Sequence, residues 1–128
     1  MGRPVVHFEI IGNDPAALRS YYGDLFDWEF RTGDAVTEAV SPPGAYGFVD
    51  GSTTGDGTGI NGGVGGGEGY ERRVLFYVDV PDVESALRRA ESLGGTRRLG
   101  PERAPGGDLV IGHFTDPEGN LIGVAGPA

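Results

Sequence analysis

The sequence repeats itself at a distance of 68 residues, and no other feature limits its possible folds so strongly. Residues 5–10 (VVHFEI) alternate in side-chain character as a strand does, and residues 74–80 (VLFYVDV) do so again. Placing Phe8 on Phe76 gives 76 − 8 = 68, and placing Leu25 on Leu93 gives 93 − 25 = 68. Each strand leads into a helix. Asn13-Asp14-Pro15 supplies an N-cap and a proline suited to the first turn, and Leu18, Tyr21, Tyr22, Leu25 and Phe26 follow at helical spacing, predicting a helix over 15–26. Pro81-Asp82-Val83 opens the second helix, whose stripe is Val83, Ala86, Leu87, Ala90 and Leu93 before Gly94-Gly95 stops it.

The reading is therefore of an α+β protein made of two tandem strand–helix–three-strand units. The first covers about 4–64, the second about 73–126, and residues 65–72 link them. In the first unit, residues 28–31, 36–40 and 45–49 are strand candidates, with a further short strand in 59–64. Twenty-five glycines in 128 residues is far above the usual ~7 %, and many lie between Gly44 and Gly69, as turns and a flexible connector would require. They do not form a phosphate loop, because no Gly-Lys-Ser/Thr ending and no directly following helix accompany them.

At 128 residues the chain suits one domain with a real core. It has no cysteine, so no disulfide or thiolate site. It shows no secretory signal and no apolar run near the ~18 residues of a membrane span, which predicts a cytoplasmic protein without a membrane partner. A formal charge of −9, from 19 acidic and 10 basic residues, disfavours nucleic acid and anionic surfaces.

Near the C-terminus, His113-Phe114-Thr115 reads as a strand, Asp116-Pro117-Glu118-Gly119-Asn120 as a tight turn, and Leu121 to Ala125 as a final strand. Asp-Pro-Glu-Gly-Asn before an apolar strand resembles the C-terminal hairpin of the vicinal oxygen chelate superfamily, which includes glyoxalase I, extradiol dioxygenases and bleomycin-resistance proteins. The internal repeat extends that resemblance over nearly the whole chain. It implies a cup-shaped, partly open mixed β-sheet barrel with helices outside, in which Phe8, Ile10, Phe76 and Val78 face helices while His7, Glu9, Leu75 and Tyr77 face the cup.

In metal-dependent members of that superfamily the ion is held from the first and last strand of each unit. By position His7 matches one such ligand, but its mate 68 residues on is Leu75. Gly123 stands where relatives carry glutamate two residues after the leucine, and in 59–63 only Asn61 offers a donor. One good ligand of four does not hold a metal tightly, so neither metal nor cofactor is expected. Instead His7 and Glu9, some 6 to 7 Å apart on one strand face, form a candidate polar pair for a small-molecule ligand. Tyr77 joins them, because Phe76 and Val78 define the packed face of its strand. Tyr46 and Phe48 share a face, as an aromatic wall or as core. His113 either faces the same cup or stands exposed. The ligand-binding candidates are thus His7, Glu9, Tyr46, Phe48, Asn61, Tyr77 and His113. The resemblance also implies a homodimer. Two functions fit: a metal-free binding protein for a hydrophobic or cationic ligand, or a glyoxalase- or dioxygenase-type enzyme, metal-dependent or using His7 and Glu9 as acid and base.

Overall fold

The computed structural model describes residues 1–128, which divide into two compact units, one of His7–Val74 and one of Met1–Val6 with Leu75–Ala128. The architecture is α+β, with two helices and seven strands.

The first unit carries strand β1 (Val5–Gly12) from His7 on, helix α1 (Pro15–Phe26), β2 (Gly47–Val49) and β3 (Asn61–Gly66). β1 and β3 run parallel, with His7 beside Asn61 and Glu9 beside Gly63. β2 and β3 are antiparallel, with Phe48 beside Gly63. Helix α1 begins where expected, because the Asp14 carboxylate accepts from the Ala17 N–H at 3.1 Å and proline holds the first turn. Leu18 packs on Gly12, where a Cβ would lie 2.4 Å from its Cδ1.

Three expectations in this unit need correction. Residues 28–31 form no strand beyond a single bridge, in which Arg31 exchanges both backbone hydrogen bonds with Phe48. Residues 36–40 make a turn, because Thr37 O accepts from the N–H groups of Val40 and Ser41 and so leaves no ladder. The linker starts later than position 65, since Gly65 and Gly66 pair with Ile11 and Gly12. Glycine suits β3 for a steric reason. Residues 62–66 are all buried, and a Cβ on Gly62 would sit 1.9 Å from the Phe8 ring.

The second unit shows strand, helix and three strands: β4 (Arg73–Asp79) from Leu75 on, α2 (Val83–Ser92), β5 (Thr96–Arg103), β6 (Leu109–Thr115) and β7 (Leu121–Pro127). β4 is parallel to β7, which is antiparallel to β6, and β6 to β5. Asp82 caps α2 through the Ser85 N–H, and Arg97 ties β5 to that helix by two bonds of 2.8 and 2.7 Å to Glu84. The Arg97 guanidinium holds the Glu84 carboxyl down to about 2. The hairpin between β6 and β7 is built as the sequence reads. Asp116 Oδ1 accepts from the N–H groups of Glu118 and Asn120, Asn120 Nδ2 donates to Asp116 Oδ2, and Gly119 takes φ +93°.

The two faces of β4 point as expected, with Val80 packed in the α2 cluster and Leu75 and Tyr77 in a separate one, but the face away from the helix is the more deeply buried. Leu75 and Tyr77 are 4 % and 3 % exposed and pack with Ala125, Ile111 and Leu121, while Phe76 is 40 % exposed. Helix α2 is ten residues long and buries Val83 and Leu87 on Val124, Val110 and Phe114. It does not bury Phe76.

Candidate functional site

The register of each unit sets one glycine at the centre of a three-residue row. In the first unit the row is Glu9–Gly63–Phe48 across β1, β3 and β2. In the second it is Tyr77–Gly123–His113 across β4, β7 and β6. Both glycines are buried, and in both cases a tyrosine ring occupies the volume a side chain would need. A Cβ on Gly63 would stand 2.0 Å from the Tyr46 ring, and one on Gly123 would stand 2.4 Å from the Tyr77 ring.

Each tyrosine crosses its glycine to a hydrogen-bond partner. Tyr46, on the segment just before β2, donates its hydroxyl to Oε1 of Glu9 at 2.8 Å. The Tyr46 hydroxyl oxygen also lies 2.9 Å from Nε2 of His7. A phenol has one hydrogen, and here it goes to the carboxylate, so His7 must donate from Nε2 and keep Nδ1 deprotonated. Tyr77 Oη lies 2.6 Å from Nε2 of His113. Glu9 is 3 % exposed and His113 2 %, so both networks are screened from bulk water, where charge-assisted bonds are strongest.

Burial also decides the charge of His7. Desolvation pushes its pKa from 6.5 down to about 4, because the buried imidazolium loses hydration that the neutral ring does not need. Near neutral pH the ring is therefore uncharged. Around it Tyr46 stacks at a centroid distance of 6.4 Å, Phe48 meets it edge-on at 6.2 Å, and Tyr46 and Phe48 lie 4.7 Å apart. The arrangement can hold a ligand's donor or shuttle a proton along imidazole, phenol and carboxylate.

Of the residues singled out by sequence, His7, Glu9, Tyr46 and Phe48 come together in the first unit, and Tyr77 and His113 pair in the second. Asn61 goes elsewhere. It is exposed, and its Oδ1 accepts from the Gly51 N–H at 2.8 Å, fastening a short 3-10 turn over Gly51–Thr53. Sequence reasoning missed Gly63, whose role is to leave room for Tyr46. The available signal was a glycine in the last strand of each half, with a tyrosine able to reach it. It also missed Arg73, whose Nε and Nη2 are buried without a hydrogen-bond partner.

The chemistry of the donor set does not fit a metal held in the superfamily's manner. Three of the four positions carry Leu75, Gly63 or Asn61, and Gly123, and tyrosine rings fill the space beside both glycines. No three His, Asp or Glu side chains converge as a metal site would need.

The sequence matches the family described as Glyoxalase/Bleomycin resistance protein/Dioxygenase superfamily over residues 5–124. No curated protein matches it. Among solved structures, it resembles Streptomyces coelicolor methylmalonyl-CoA epimerase in complex with 2-nitronate-propionyl-CoA at 17 % identity and a TM-score of 0.67, covering 98 % of this chain and 95 % of that one. A glyoxalase/bleomycin resistance protein/dioxygenase superfamily member from Vibrio splendidus 12B01 is 18 % identical with a TM-score of 0.57, covering 98 % and 99 %. Mycobacterium tuberculosis methylmalonyl-CoA epimerase is 16 % identical with a TM-score of 0.60, covering 97 % and 87 %. At these identities the likeness is one of fold. No helix of the chain is long and apolar enough to cross a membrane.

Proposed function

Given that the chain belongs to the Glyoxalase/Bleomycin resistance protein/Dioxygenase superfamily, we propose that it binds a small hydrophobic or cationic molecule without a tightly held metal. The ligand meets the His7–Tyr46–Glu9 network, with Phe48 as its aromatic neighbour. The observation that carries this reading is the Tyr46 ring lying over Gly63 with its hydroxyl on Glu9. Where a superfamily metal site would need a ligand, this chain has a polar network already closed by protein groups. The proposal includes a cytoplasmic homodimer, supported by apolar side chains left exposed, such as Val74, Leu93 and Leu109, and checked by sedimentation.

The test is a thermal-shift screen of cationic and aromatic small molecules with and without EDTA. A ligand that raises the Tm of the natural protein, fails to do so for His7→Ala, and is indifferent to EDTA supports the reading. Near-stoichiometric transition metal in protein purified without chelators, lost on His7→Ala, overturns it.

A second reading is an acid–base enzyme of the same superfamily. It is favoured by the neutral state of His7 near pH 7, the form in which a general base must start. Its mark is exchange of a ligand C–H with deuterated solvent, abolished by His7→Gln, whereas a pure binding protein leaves that hydrogen in place.

A further inference from the structure

A groove of 490 Å³ opens in the first unit, with none of His7, Glu9, Tyr46 or Phe48 in its lining. It is lined by Phe26, Asp27 and Trp28 on one side and Thr53, Thr54 and Gly55 on the other. Its size falls within the ~300 to 1,000 Å³ of ordinary small-molecule sites, and apart from the Trp28 indole N–H its polar side chains, those of Asp27, Thr53 and Thr54, present acceptors. The Thr53 hydroxyl donates to Asp50 O at 2.6 Å and the Thr54 hydroxyl to Gly51 O at 2.9 Å. Each has thereby used its one hydrogen, leaving lone pairs. Asp27 contributes a carboxylate.

The local electrostatics point the same way. Asp27 caps the C-terminal end of α1, and the last turn of that helix contains no basic residue. The partial negative charge of a helix C-terminus favours cations and disfavours carboxylates, yet Asp24 and Asp27 both stand there. Neither takes part in any of the chain's ion pairs. The apolar wall completes the site. Phe26 is 53 % exposed, and its ring lies 5.1 Å from that of Trp28.

We propose that this groove binds a primary ammonium carried on an aromatic or short aliphatic body. The ammonium meets the Asp27 carboxylate, the threonine hydroxyl oxygens and the negative end of α1, while the body lies on Phe26 and Trp28. A neutral alcohol of the same shape finds the apolar wall but lacks the charge that the acceptors select. This site does not depend on the His7 network.

Trp28 is the only tryptophan in the chain and lines the groove, so its fluorescence reports on binding there, and because its ring also lies 5.0 Å from that of Phe8 the His7→Ala control is needed. Titration with 2-phenylethylammonium is expected to give a saturable change, with 2-phenylethanol binding at least about tenfold more weakly, a difference of about 1.4 kcal/mol. Asp27→Asn should weaken the ammonium by a similar factor. Asn keeps the fold, because it takes the left-handed conformation of Asp27 (φ +58°) readily. His7→Ala should leave the titration unchanged, which separates this site from the one proposed above. The inference is overturned if the natural protein gives no saturable response, if the alcohol binds as well as the ammonium, if Asp27→Asn binds equally well, or if His7→Ala alone abolishes the signal.

Discussion

Tyr46 lays its ring over Gly63 and donates its hydroxyl to Glu9 at 2.8 Å. Replacing that phenol with Phe leaves a carboxylate that is 3 % exposed short of one donor. Removing one partner of a buried charged group costs about 1 to 3 kcal/mol. Tyr46→Phe should therefore lower the urea midpoint at pH 7 with little change in slope, and an unchanged midpoint would show that the bond contributes nothing.

His7 should give the protein a pH-dependent stability. Its folded-state pKa of about 4 lies below the ordinary 6.5, so the unfolded chain binds its proton first. Stability from this group is complete above pH 6.5, declines as the pH falls toward 4, and is constant below that. The loss is on the order of 3 kcal/mol. Urea unfolding of the natural protein and His7→Gln across this window isolates the effect, since carboxylate contributions common to both cancel. Parallel curves would refute it.

Gly63→Ala and Gly123→Ala should each destabilise, because the new methyl meets the ring of Tyr46 or Tyr77 at 2.0 or 2.4 Å. Forcing a packed ring aside costs about 1 to 3 kcal/mol. Gly2→Ala, with nothing within 4 Å, is the neutral control in the same thermal melts. It follows that Gly123→Glu with Leu75→His should not create zinc affinity, as measured by calorimetry, until Tyr77 is also shortened.

Arg73→Met should stabilise. The arginine is half-buried and leaves Nε and Nη2 out of water without a partner, and such unpaired donors cost more than an apolar side chain of similar length. A gain of about 1 kcal/mol would raise Tm by about 4 °C. A fall in Tm would mean that the guanidinium earns its place through a bound anion.

Much of the fold can be read from residue order. The 68-residue offset holds through both first strands and both helices, since Val5 and Arg73 open β1 and β4 and Pro15 and Val83 open α1 and α2. The hairpin from Asp116 to Asn120 forms because Asp116 is hydrogen-bonded locally to Glu118, Gly119 and Asn120. The offset fails in the last strands, where Gly63 and Gly123 occupy matching register at 123 − 63 = 60. Insertions between α1 and β3 leave no periodic trace, so sequence alone picked Asn61 rather than Gly63 as the counterpart of Gly123.

The buried face of β4 was hidden for a different reason. Phe76, Val78 and Val80 are more apolar than Tyr77 and Asp79, and alternation names a face by polarity alone. Tyr77 is nevertheless buried, because His113 satisfies its hydroxyl. That partner lies 36 residues away, beyond any local pattern.

What the sequence by itself determined is everything carried by short-range physics: two helices with their caps, the hairpin turn, the repeat, and the lack of a full set of metal ligands at the expected positions. Only the tertiary structure decided what replaces those ligands. A glycine marks room in a sheet but does not say what fills it. The occupants are tyrosine rings, which reach Gly63 from 17 residues before it in the chain and Gly123 from 46 residues before it. Strand register brings them there, and register is a property of hydrogen bonds between distant segments.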